Sequence, residues 1–132
     1  MFLQYYVTES TTGNRVNIEI NAATKTDLDA TRNGWQTVWN TDFILDPQKE
    51  KYAAKTEDGE IIALGAYRVR KGSVAVYIAY IESQPESNPT LVEHKKYSGI
   101  GKAMIAFGIQ LSIDASCNGV VVFEAKTDDL EQ

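Results

Sequence analysis

Between Val74 and Ala125 the chain reads as strand, loop, helix and strand, and this order constrains the fold more than any other feature of the sequence. From Gly99 to Ser116, the residues Ile100, Ala103, Met104, Phe107 and Leu111 recur at helical spacing, and Ile105, Ile109 and Ile113 widen the stripe. Lys102, Ala106, Gln110 and Asp114 leave only a narrow polar edge, so the pattern predicts a helix largely buried against a sheet. Asn118-Gly119 supplies its stop. Val120 to Ala125 is an apolar run of the kind found in buried parallel strands. Strands joined through such a helix form a right-handed crossover.

The residues before this unit supply the sheet. Phe2 to Thr8 is rich in aromatic and β-branched residues, and Arg15 to Ile20 alternates with Val16, Ile18 and Ile20 on one face. The turn signal Thr11-Thr12-Gly13-Asn14 between them predicts an N-terminal hairpin. Thr24 or Thr26 can cap a helix carrying Leu28, Trp35, Val38 and Trp39 on one side, although Gly34 weakens it. Three strands follow, Lys51 to Lys55, Ile61 to Val69 and Val74 to Ile81, joined by Asp58-Gly59 and by Arg70-Lys71-Gly72-Ser73 as an antiparallel meander. Strict alternation puts Tyr77 and Tyr80 on opposite faces of the third. Ser83 to Lys95, with Pro85 and Pro89, is a loop. The expected fold is α+β, a mixed and mostly antiparallel sheet with one buried helix, and residues 1–132 form one domain.

Composition narrows the chemistry. A net charge of −5 without a segregated basic run disfavours nucleic acid and suits a cationic acceptor such as an amine. One cysteine, Cys117, excludes an internal disulfide, and with a single histidine a Cys/His zinc site is out of reach, so no metal is expected. The start of the chain lacks a secretory pattern and no apolar run is long enough for a bilayer, so no membrane partner is expected and a cytoplasmic location is the default.

The segment Lys96-Tyr97-Ser98-Gly99-Ile100-Gly101-Lys102 carries the chemical signal. It lies where the loop meets the helix. First-turn N–H groups there have no intrahelical acceptor, and the aligned peptide dipoles add partial positive charge. Glycines let a ligand reach the backbone, and the two lysines add charge, which together describe an anion site. It is not a P-loop, because Ala103 follows Gly101-Lys102, and not the dinucleotide fingerprint, because Met104 stands where a third glycine belongs.

The segment resembles the Gln/Arg-x-x-Gly-x-Gly/Ala signature of the GNAT acetyltransferase superfamily, with Lys96 in the Gln/Arg position. The resemblance extends over Ile61 to Thr127 and, more loosely, Trp35 to Tyr52. Tyr80-Ile81-Glu82-Ser83-Gln84-Pro85 and Ala125-Lys126-Thr127 resemble a small bacterial group within it. It implies a GNAT-like fold in which the signature helix follows the fourth family strand. It also implies acetyl-CoA as cosubstrate, its pyrophosphate on Lys96, Tyr97, Ser98, Gly99, Ile100, Gly101 and Lys102. The pantetheine would pair with backbone around Ile81 to Ser83, and acetyl would pass directly to a small-molecule or peptide amine. Glu82, at the strand end beside that cleft, is the candidate general base, against the alternative of a surface carboxylate. His94 reads as an exposed loop residue and Cys117 as structural. A GNAT-like domain that holds CoA without turnover is the alternative reading.

The resemblance also implies elements beyond Ala125-Lys126-Thr127, a helix and one or two further strands that bring an acid tyrosine. Here Asp128 to Gln132 reads as the first turn of a helix cut short. The expectation is a truncated domain, or a homodimer whose partner covers the edge formed by Val120 to Phe123.

Overall fold

A computed structural model describes residues 4–39 and 47–124. Phe2 and Leu3 of the first predicted strand, and everything read from Ala125 onward, lie outside the described residues. Those described form a mixed α+β fold: a curled, mostly antiparallel sheet of seven strands with two α-helices. The strands are β1 (Tyr5–Glu9), β2 (Arg15–Ala22), β3 (Glu50–Thr56), β4 (Ile61–Arg68), β5 (Val76–Ser83), β6 (Tyr97–Ser98) and β7 (Val121–Phe123). They lie in the order β6-β1-β2-β3-β4-β5-β7. The helices are α1 (Lys25–Asp29) and α2 (Ile100–Asp114). Among the described residues, no helix is long and apolar enough to cross a membrane.

Two apolar layers follow from strand alternation. On one face, Val7, Ile18, Ala54, Tyr67, Val76 and Ile78 pack under Ile100, Ala103 and Met104 of α2. Tyr67 lies between sheet and helix, donating its hydroxyl to the Met104 carbonyl at 2.8 Å. Gly65 makes room for it, since a Cβ there would stand 2.7 Å from the Tyr67 ring. The other face buries Leu28, Trp39, Ala53, Leu64, Ala66 and Ala79.

Three local readings need correction. The stripe from Leu28 to Trp39 is not one helix. Thr24 caps α1 through a capping box with Asp27, but regular structure ends with a 3₁₀ turn at Ala30–Arg32. Asn33 is extended and Gly34 takes φ +91°, so the chain leaves the helix there. Second, Tyr77 and Tyr80 share a face. Ala66 pairs with Tyr80 and Tyr67 with Ile78, leaving Ala79 as an extra residue on β5. Such a bulge reverses the alternation beyond it, so Ala79 and Tyr80 both join the layer around Trp39. Third, β7 pairs in parallel with β5, but it is not buried: Val122 and Phe123 are exposed, as are Ile109 and Ile113 on the flank of α2.

Candidate functional site

The helix start has the geometry its sequence suggests. Gly99 occupies the N-cap position with φ +87°, a left-handed conformation that glycine adopts without steric cost. It brings no side chain to cap the first turn, so those N–H groups are left for another acceptor. A Cβ on Gly99 or Gly101 would meet nothing within 4 Å. Beside this start runs a groove of about 570 Å³ between β1 and α2. Ser98, Gly99 and Lys102 line it together with Tyr5, Tyr6 and Ala106. Ile100 is buried in the core, and Gly101 and Lys102 are exposed.

Lys96 and Tyr97 turn the other way. The Lys96 ammonium sits 2.9 Å from Glu60, and the Tyr97 hydroxyl donates to the same carboxylate at 3.2 Å. Gln84 donates to Glu60 as well, at 2.8 Å. Positive charge at the helix start therefore comes from Lys102 and the backbone, while Lys96 fastens the loop before α2 to the start of β4. Burial alone would raise the Glu60 pKa, but the bonds from Gln84, Lys96 and Tyr97 outweigh it and hold the value low. The hydrogen bond to Glu60 raises that of Lys96. Glu60, Gln84 and Lys96 border a second recess of about 430 Å³, with Asp27, Trp35 and Glu86 also on its wall.

Asp27 belongs to the same acidic surround. Burial pushes its pKa up, but the Thr24 backbone N–H and the Lys55 ammonium at 2.9 Å push it down further, leaving it below the ordinary value. A carboxylate with a depressed folded pKa contributes stability above its unfolded value, about 4, and that stability is lost as pH falls through the folded value. Urea midpoints of the wild type should therefore drop below pH 4, and less steeply in Asp27→Asn. Parallel acid profiles of the two proteins would remove Asp27 from this account.

Glu82 is neither exposed nor free. It is 4% exposed, and its carboxylate accepts N–H groups from Gln36 at 2.7 Å, Thr37 at 3.3 Å and the Trp39 indole at 2.8 Å. Tyr80, on the same face, packs edge-on against Trp39 and accepts the Thr37 hydroxyl at 2.9 Å. The end of β5 thus grips the segment from Gln36 to Trp39. Ile81 points to the α2 side and packs against that core. Its backbone matters more. The Gln84 N–H bonds to the Ile62 carbonyl, so by alternation the peptide groups of Glu82 face β4 and those of Ile81 and Ser83 face away from it. On that outer side, pairing with β7 covers only Val76 to Ile78. The bulge at Ala79 produces this arrangement.

His94 is an exposed loop residue, and Cys117 is buried with its thiol directed at the Arg70 carbonyl. Among the described residues, no group of three or more His, Cys, Asp or Glu is placed to hold a metal ion. The sequence reading missed the convergence on Glu60, because Gln84, Lys96 and Tyr97 reach it from a loop without periodicity. No protein-family model and no curated protein matches the chain.

Proposed function

We propose that this chain is a GNAT-like domain that binds acetyl-CoA and passes its acetyl group to an amine. One arrangement carries the reading: a glycine-opened helix start lies in the crossover between two parallel strands, and the first of those strands turns the Ile81 and Ser83 peptide groups outward beyond its pairing with the second. The first-turn amides and Lys102 suit a pyrophosphate. The outward peptide groups suit the two amides of a pantetheine arm, which would extend the sheet as a strand does. In the reaction the amine nitrogen attacks the thioester carbon, the carbon–sulfur bond breaks, the nitrogen loses a proton and the departing thiolate gains one. Beside Trp35, the carboxylates of Asp27, Glu60 and Glu86 outnumber their paired ammonium groups, Lys55 and Lys96, by one, and this excess of negative charge suits a cationic acceptor.

The alternative, CoA binding without turnover, is favoured by a separate observation. The Glu82 carboxylate already accepts three N–H groups, which suits holding a loop better than taking a proton. Calorimetric titration with acetyl-CoA and with CoA tests binding, and thiol release against a panel of amines tests transfer. Binding without thiol release selects the alternative, and no binding to either ligand rejects both readings.

The two lysines should behave differently. Lys102→Ala is expected to weaken CoA binding roughly 5- to 10-fold, about 1 kcal/mol, by removing a charge at an exposed helix start. Lys96→Ala should change it much less, because that ammonium is occupied by Glu60. Equal losses in calorimetry would show that Lys96 turns to the ligand.

A further inference from the structure

We propose that Glu60 regulates the helix start by holding the Lys96 ammonium away from it, so that loss of the Glu60–Lys96 pair strengthens anion binding there. The inference rests on the reading of that helix start as the pyrophosphate site of CoA. Pairing with β1 fixes the Lys96 backbone: the Ser10 N–H bonds to the Lys96 carbonyl, and Ser98 lies opposite Thr8. Side chains two positions apart along a paired strand share a face. Lys96 and Ser98 therefore start from one face, and Ser98 lines the groove at the helix start. Their Cα atoms stand about 7 Å apart, close to the reach of a lysine side chain. The Lys96 ammonium nevertheless folds back across the Tyr97 ring, 5.4 Å from its centroid, to meet Glu60 on the wall of the second recess.

The two ends of this contact differ in freedom. Glu60 is anchored: its N–H bonds to the Thr56 hydroxyl, and its carbonyl accepts the Thr56 N–H. Its carboxylate accepts from Gln84 and from Tyr97, both buried, and Gln84 is held in turn by the Ser87 hydroxyl at 3.2 Å. The Lys96 side chain, by contrast, is 45% exposed on a flexible stem. An exposed ion pair contributes little net stability. The ammonium can therefore leave while Gln84 and Tyr97 keep their places, and a polyanion beside Lys102 offers it a second partner. Glu60 competes with that anion for the same charge.

Calorimetric titration with CoA should show Glu60→Gln binding about 5-fold more tightly than the wild type, the scale of one added charge at a helix start. A part played by Glu60 only in shaping the loop predicts the opposite sign. Glu60→Asp, which keeps the charge but draws it back from the ammonium, should gain in the same direction and covers the case in which Glu60→Gln melts early. The Glu60→Gln/Lys96→Ala double variant should lose the gain and bind as Lys96→Ala does. Unchanged or weaker binding in a folded Glu60 variant, as when Glu86 captures the freed ammonium, overturns the proposal. So does a gain that persists in the double variant, which would assign it to the field of Glu60 rather than to Lys96. CoA binding by the wild type with no gain in either Glu60 variant sinks this inference alone, whereas no binding in any of the proteins sinks the reading of the helix start with it.

Discussion

Gly101→Asp is expected to abolish binding of CoA and acetyl-CoA while leaving the protein folded, and slightly more stable than the wild type. The two effects separate because they have different causes. A Cβ at Gly101 meets nothing within 4 Å, so the side chain fits without moving the fold. Replacing a helical glycine and placing a carboxylate in the first turn together favour α2 by about 1 kcal/mol. The same carboxylate stands where a pyrophosphate would accept the first-turn N–H groups, and like charges there should weaken binding by about 100-fold or more, close to 3 kcal/mol. Calorimetry and a thermal melt on one sample would show both. Wild-type affinity in a folded Gly101→Asp protein would remove the helix start from the proposed site, whatever the chain does elsewhere.

Glu82→Ala should be among the most destabilising single changes. It leaves the N–H groups of Gln36 and Thr37 and the buried Trp39 indole without their acceptor. A buried unsatisfied donor costs about 1–3 kcal/mol, and water can reach Gln36 and Thr37. A loss of roughly 3 kcal/mol is expected, which lowers Tm by about 10 °C in a domain of this size. Glu82→Gln should lie between, because its amide keeps one acceptor oxygen and turns an NH₂ toward donors. The pair also decides the role of the residue. If Glu82→Gln keeps Tm and CoA affinity but stops thiol release, the carboxylate acts in proton transfer. If thiol release falls only in step with Tm, it holds the loop.

The sequence made the repetitive parts of this fold legible and left obscure those settled at a distance. Alternation and helical spacing located the meander, α2 and the parallel β7 to within a few residues, because each depends on neighbours in the chain. The break after Arg32 depends on Glu82, 46 positions from Gln36, whose carboxylate takes amides that a continued helix would have satisfied internally. Glycine 34 carried part of that information, but nothing local named the acceptor. At the site, the glycine spacing marked the helix start directly. The turning of Lys96 toward Glu60, 36 positions away, had no counterpart in the local pattern. Apolar character was read as burial in β7 and on the flank of α2, but Val122, Phe123, Ile109 and Ile113 are exposed, because a sequence records only that a side chain prefers cover.

The single extra residue in β5 has a consequence for how this strand can vary. Before Ala79, Val76 and Ile78 serve the layer under α2; after it, Ile81 takes over that duty while Tyr80 and Glu82 serve the opposite layer. Deleting one residue here would exchange the two sets, sending a carboxylate into an aliphatic interior and an isoleucine to the loop that needs an acceptor. Length at this point is therefore far less negotiable than composition. With length fixed, the two sides of the strand are insulated from each other, so side chains facing the Trp39 layer can change their chemistry without disturbing the footing of the helix.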